Sequence, residues 1–306
     1  MTRLLVIVVG LSMVPSVAFA ADLGELLERG RDASYTAEQM ISCATPDGIR
    51  DALLHIEQAG PEIFVESGFA SDTAVAVGAG GWMLLHQDGV VDEARVESAS
   101  GSVDHLYLVE DLGEVSFMGR GASAYRLERD GVLRAELVLD DVTGVLVRAV
   151  TFDAGGDTYC VRRFLSFEPG ERQLPPKQPS TQAELTPIET VDAGFPESVA
   201  GFSRLDQYED TDGFRFTYYS DGFFSFAVFQ TPALVNLPDA AVVSFGRATY
   251  RRSFTAGQVI YVWETRTGGM AMVGDLPPDL HESALASLPQ PHDPGLFRRI
   301  WRSLFG

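Results

Sequence analysis

Apolar and polar residues alternate with a period of two along much of this chain, which is the spacing of a half-buried β-strand. Phe214-Arg215-Phe216-Thr217-Tyr218 alternates and leads into Asp221-Gly222. Phe224, Phe226 and Val228 then line one face of the next segment, with Ser225 and Ala227 opposite. Tyr125-Arg126-Leu127-Glu128 leads likewise into Asp130-Gly131, and Val132 to Leu139 returns. Val259 to Trp263 is apolar at every position, as in a strand covered on both faces. Asp47-Gly48, Asp88-Gly89 and Asp212-Gly213 are further hairpin signals, because Gly accepts a positive φ and Asp bonds to the backbone just beyond it. Helical signals are fewer, at Leu23–Arg29 and at Leu280–Leu288, the latter behind the start signal Pro277-Pro278-Asp279. These patterns predict an α+β fold, mostly antiparallel β.

The ends and the middle of the chain break this pattern. Arg3, an apolar run from Leu4 to about Val14 and the small-x-small triplet Ala18-Phe19-Ala20 form a cleavable signal peptide over 1–20. The run is too short for a comfortable membrane span, and no Cys follows the cleavage site to take a lipid. Glu168 to Thr190 holds Pro169, Pro175, Pro176, Pro179 and Pro187 and almost no large apolar residue, which predicts an extended linker over 168–190. The expected organisation is a first domain at 21–167, a second at 191–291, and a tail at 292–306.

Charge narrows the function. The formal net charge is −20, and loss of Arg3 with the signal peptide makes it one unit more negative. Nucleic acid, which needs a basic footprint, is excluded as a partner. The only cysteines are Cys43 and Cys160. Export to an oxidising compartment permits a disulfide between them, and a pair of buried thiols is the other reading.

A search for chemistry returns nothing. His281-Glu282 opens like a zinc-protease signature, but Leu285 stands where the second His belongs. Asp206, Asp210, Asp212 and Gly213 suggest a calcium loop, yet Tyr208 and Tyr219 fall where its first and twelfth ligands are required. No nucleophile elbow, phosphate loop or dinucleotide fingerprint occurs. No catalytic residue, metal or cofactor is expected; the chain reads as a binding protein.

A family resemblance then enters. Phe195-Pro196-Glu197, Gly201-Phe202, and above all Tyr219-Ser220-Asp221-Gly222 through Phe229 resemble the carboxy-terminal domain of the RseB/MucB family. Gly246-Arg247-Ala248-Thr249-Tyr250, the Val259–Trp263 strand and the Pro277–Leu288 helix follow in the family's order. Tyr125-Arg126-Leu127, Gly131 to Leu137 and Gly144 to Arg148 resemble a hairpin of its first domain. The strong acidity and the single lysine, Lys177, depart from the family's better-known members.

The resemblance implies an unclosed half-barrel first domain, similar to LolA-like lipoprotein carriers, and a smaller α+β second domain. It implies an extracytoplasmic protein, periplasmic or on the outer side of the cell envelope. Such a protein binds a membrane-spanning anti-sigma factor, shields it from proteolysis during the stress response, and is released by a lipid-type ligand. The alternative is a periplasmic carrier of lipids or lipoproteins. On either reading Trp82, Leu84, Phe117 and Met118 are candidates to line an acyl-chain cavity, with ordinary core residues as the competing explanation. Tyr218, Tyr219 and Asp221 are candidates for partner contact, against a purely structural turn. In the tail, Phe297, Ile300, Trp301, Leu304 and Phe305 share one helical face, with Arg298, Arg299 and Arg302 elsewhere. That pattern suits an anionic membrane surface or a partner.

Overall fold

The computed structural model describes residues 23–60, 106–174, 195–209, 214–235, 240–255 and 258–292. It also describes Leu237 and the strand segments 62–67, 73–78, 81–86, 91–95 and 186–187. The signal segment and the tail beyond His292 lie outside the described residues, as do the Asp88-Gly89 and Asp212-Gly213 turns.

Helix α1 (Leu23–Arg31) precedes β1 (Ser34–Thr45), β2 (Gly48–Ala59) and β3 (Glu62–Ser67). Three short strands follow, β4 (Thr73–Gly78), β5 (Gly81–His86) and β6 (Val91–Arg95), which pair as a small sheet of their own. The chain returns through β7 (Leu108–Phe117), β8 (Arg120–Arg129), β9 (Val132–Asp140), β10 (Leu146–Phe152) and β11 (Thr158–Pro169). These complete an eight-stranded sheet in the order β3-β2-β1-β11-β10-β9-β8-β7. Its edges β3 and β7 do not meet, so the sheet stays open.

The second sheet has nine strands. They are β12 (Thr186–Pro187), β13 (Ser198–Val199), β14 (Phe202–Glu209), β15 (Arg215–Ser220), β16 (Ser225–Thr231), β17 (Ala241–Phe245), β18 (Ala248–Thr255), β19 (Gln258–Glu264) and β20 (Gly269–Gly274). The order is β12-β14-β15-β16-β20-β19-β18-β17, with β13 paired to β14. Helix α2 (Pro278–Ser287) closes the unit. Among the described residues no helix is long and apolar enough to cross a membrane.

Turn chemistry explains the register. Asp130 and Gly131 take φ of 54° and 75°, the paired positive values of a two-residue hairpin, and β8 and β9 extend from them. Across the first sheet, Cys43, Cys160, Thr151, Ala135 and Leu127 stand in one row, and Ile41, Arg162, Ala149, Leu137 and Tyr125 in the next. These rows form the core face, and Leu127, Ala135 and Leu137 on it are fully buried. Cys43 and Cys160, directly opposed on β1 and β11, are joined by a disulfide. Helix α1 buries Leu23 and Leu26 against the same core. A Cβ at Gly144 would collide with the Leu26 carbonyl, so this helix needs glycine at that turn, where φ is +72°.

The second sheet is covered on both faces. Phe216, Phe229, Ala271 and Val262 form one row, Tyr218, Ala227, Val273 and Ile260 the adjacent one. The opposite face carries Tyr219, Phe226, Val228 and Met272, which join the apolar core of the first sheet and α1 without a break. Thr186–Pro187, within the expected extended linker, pairs with Tyr208 and Glu209 as an edge strand. Proline is tolerated there because an edge position needs no N–H for a further neighbour.

Candidate functional site

Residues that carry the family resemblance in the second half of the chain meet the first half at one junction. Ser220-Asp221-Gly222 makes the turn between β15 and β16. Ser220 Oγ donates to the Phe224 carbonyl at 3.1 Å and accepts from the Gly222 N–H at 2.9 Å. Asp221 Oδ1 accepts from the N–H groups of Phe223 and Phe224 at 3.1 and 2.8 Å. The second carboxylate oxygen leaves the turn. Oδ2 accepts from the Tyr107 hydroxyl at 2.6 Å and from Arg129 Nη1 at 2.5 Å, and both donors belong to the first half of the chain.

Arg129 ends β8, just before the Asp130-Gly131 turn. Its guanidinium lies 5.7 Å from the centre of the Phe202 ring, a cation–π contact. A Cβ at Gly201 would collide with the same guanidinium. Gly201-Phe202 and Ser220-Asp221-Gly222, separate in sequence, are therefore two walls of one Arg129 socket. Tyr107 packs edge-on against Phe223, with ring centres 6.1 Å apart.

Burial pushes the Asp221 carboxyl above the usual carboxylate range, against the pull of Tyr107, two backbone amides and the Arg129 charge. Burial and the neighbouring Asp221 likewise raise the Tyr107 hydroxyl. Neither group faces water, so both serve to hold the sheets together.

Two further pairs cross the same junction in the same sense. Arg162 meets Asp275 at 2.9 Å, and Arg134 meets Asp279 at 2.9 Å. Asp279, in the first turn of α2, also accepts from the Ala154 N–H at 3.2 Å. In all three pairs the arginine belongs to the first sheet and the aspartate to the second unit. His281, on α2, is 1 % exposed and packs on the Tyr261 ring at 5.3 Å. Burial pushes its pKa down to about 3, so it is neutral in the folded protein.

Tyr218 and Tyr219 are fully buried on opposite faces of β15, and Asp221 is buried at the junction. Tyr219 donates to the Pro196 carbonyl at 2.8 Å and stacks on Phe226. All three residues, expected as candidates for partner contact or for a purely structural turn, face this chain's own interior. Phe117 packs partly buried against the core, whereas Met118 takes a positive φ of 50° in the β7–β8 turn and is about half exposed. Met118 therefore sits in a hairpin turn. Trp82 and Leu84 lie on β5, and their side chains are outside the described residues. Phe297, Arg298, Arg299, Trp301 and Arg302 lie outside them altogether.

Sequence reasoning missed Tyr107, Arg129, Arg134 and Arg162. Only Arg162 left a signal: it breaks the apolar run of the β11 core face beside Cys160 and Phe164.

No family model matches the chain, and no curated protein matches it. Among solved structures, it is similar to the Pseudomonas aeruginosa MucA/MucB complex, at 18% identity and TM-score 0.47, covering 90% of this chain and 100% of that one. A crystal structure of MucB gives 18% identity and TM-score 0.48, with 87% and 95% covered. A LolA superfamily protein from Nitrosomonas europaea gives 12% identity and TM-score 0.26, covering 51% of this chain and 96% of that one. The chain is thus similar to MucB along most of its length, and to a LolA superfamily protein over about half of it.

Proposed function

We propose that this chain is an extracytoplasmic regulator that binds the outer part of a membrane-spanning anti-sigma factor, protects it from proteolysis, and yields it when a lipid-type ligand arrives. One observation carries the reading: Gly201-Phe202 and Ser220-Asp221-Gly222, where the sequence resembles RseB/MucB regulators, build the socket that locks the second unit onto Arg129 of the first. A carrier of the simple lipoprotein type needs only the first unit. Here the second shares a continuous apolar core with it and is tied to it by three ion pairs. A binding protein with no enzymatic role agrees with the failure of every catalytic motif in the sequence.

The carrier alternative has less support. The core face of the first sheet is filled by this chain's own residues, with Ala37, Leu127, Ala135, Leu137 and Leu139 fully buried. The tail with Arg298, Arg299, Trp301 and Arg302 is proposed to keep the exported chain near an anionic membrane or its partner. Truncation after His292 tests that role, and unchanged vesicle association would reject it.

The test of the main reading is protection. If a single-span anti-sigma factor is encoded beside this chain, its outer segment is incubated with a periplasmic protease, with and without the mature chain. Slower cleavage in its presence supports the proposal. Equal cleavage, together with a co-purifying lipid, supports the carrier instead.

A further inference from the structure

The two large sheets have four edges, and three are blunted in ways that stop another strand from adding. A bare edge presents unpaired N–H and C=O groups, so folded proteins guard it with charge, bulges, proline or brevity. Strand β3 carries Glu62 and Glu66. Strand β7 carries Glu110, Asp111 and Glu114, and its pairing with β8 shifts register between Asp111 and Gly113. Strand β12 has two residues, one of them Pro187. Strand β17 has none of these guards. Its sequence Ala241-Val242-Val243-Ser244-Phe245 holds no charge and no proline, and it pairs residue for residue with β18 without a shift. Among the described residues, β18 is its one strand neighbour.

The two faces of this edge differ. Val243 and Phe245 pack partly buried against the main core. Val242 and Ser244 face outward, and Val242 is 71 % exposed. A strand laid beside β17 would place alternate side chains next to the partly buried Val243 and Phe245, which favours apolar groups there. Its other side chains would lie beside Val242.

Charge decides what those other side chains are. Arg251, which donates to the Leu237 carbonyl at 2.9 Å, stands directly across from Val242, and exposed Arg247 sits at the turn joining the two strands. No carboxylate lies on β17 or β18, so this edge is locally basic in a chain of formal net charge −20. A second copy of the chain would bring the same arginines face to face, which disfavours self-pairing. We propose that β17 is a docking edge for an extended segment of a partner protein, added as an antiparallel or parallel strand, with apolar residues alternating with Asp or Glu. This proposal stands apart from the identity of the partner suggested above.

The test uses the mature full chain and a blocked peptide of alternating valine and glutamate. Saturable binding is expected by fluorescence anisotropy, with amide exchange slowed at β17. Binding should be lost with a valine–lysine peptide, and with a valine–glutamate peptide N-methylated along one edge. Val242→Asp, at a site too exposed to unfold the chain, should abolish binding while leaving the melting temperature unchanged, and Arg247→Glu should weaken it severalfold. The proposal is overturned if the lysine peptide binds as well as the glutamate one, or if Val242→Asp binds like the parent. It is also overturned if the parent sediments as a dimer that Val242→Asp splits, since the occupant would then be a second copy.

Discussion

Arg129 and Asp221 are 92 residues apart in sequence and meet through a 2.5 Å charge-assisted hydrogen bond between a partly buried guanidinium and a buried carboxylate, with the Tyr107 hydroxyl on the same carboxylate oxygen. Removing Asp221 strands a guanidinium whose side chain is 14 % exposed and leaves the amides of Phe223 and Phe224 without their acceptor. Asp221→Ala should cost about 3–5 kcal/mol in urea unfolding, the usual loss on breaking one side of a buried pair. Arg129→Ala should be nearly as costly, and the double variant should cost clearly less than the sum. Additive losses would show that the two groups do not act together.

Tyr107→Phe removes one hydroxyl and keeps the ring against Phe223. A loss of about 1–2 kcal/mol is expected, the scale of one buried hydrogen bond to a charged group. Measured by the same unfolding assay, an effect as large as that of Asp221→Ala would mean that Tyr107 and not Arg129 holds the junction.

His281 gives the protein an acid-sensitive component. Its folded pKa is about 3, below the ordinary histidine value near 6.5. Between these values the unfolded chain binds a proton that the folded chain refuses. Stability from this residue is therefore full above about pH 6.5 and declines as pH falls toward 3. The raised carboxyls of Asp221 and Asp275 act in the opposite sense, their contributions declining as pH rises through their elevated folded pKa values. His281→Phe, which keeps a ring against Tyr261, should flatten the fall of unfolding free energy below pH 6.5. An unchanged pH profile would contradict the assignment.

The Cys43–Cys160 disulfide closes a loop with a sequence separation of 117. Constraining so long a loop in the unfolded chain is worth about 4–5 kcal/mol. Cys43→Ser with Cys160→Ser, or reduction of the parent, should lower the urea midpoint accordingly. A loss below about 1 kcal/mol would show that the β1–β11 ladder holds this row unaided.

Local chemistry made the hairpins legible, and long-range contacts did not. Asp130-Gly131 and Asp221-Gly222 could be read as turns because the dipeptide itself supplies the positive φ and the backbone bond. That Asp221 has a second task could not be read, since its partner Tyr107 lies 114 residues away. Arg162 sits in a row of Ile41, Ala149, Leu137 and Tyr125, where periodicity calls for an apolar residue; only Asp275 from the other sheet makes it tolerable. The half-exposed place of Met118 in the tight β7–β8 turn is not legible from its apolar side chain alone. Thr186–Pro187 was hidden by its proline-rich surroundings, because a two-residue edge strand has no period to detect.

The central claim is that the two units form one body that binds a protein partner. It is tested most directly by titrating the purified mature chain, and its Asp221→Ala variant, with the outer segment of a single-span anti-sigma factor from the same organism in a calorimeter. Saturable binding by the parent, weakened at least tenfold in the variant, is the predicted result. No binding by the parent, with lipid recovered from it instead, would contradict the account.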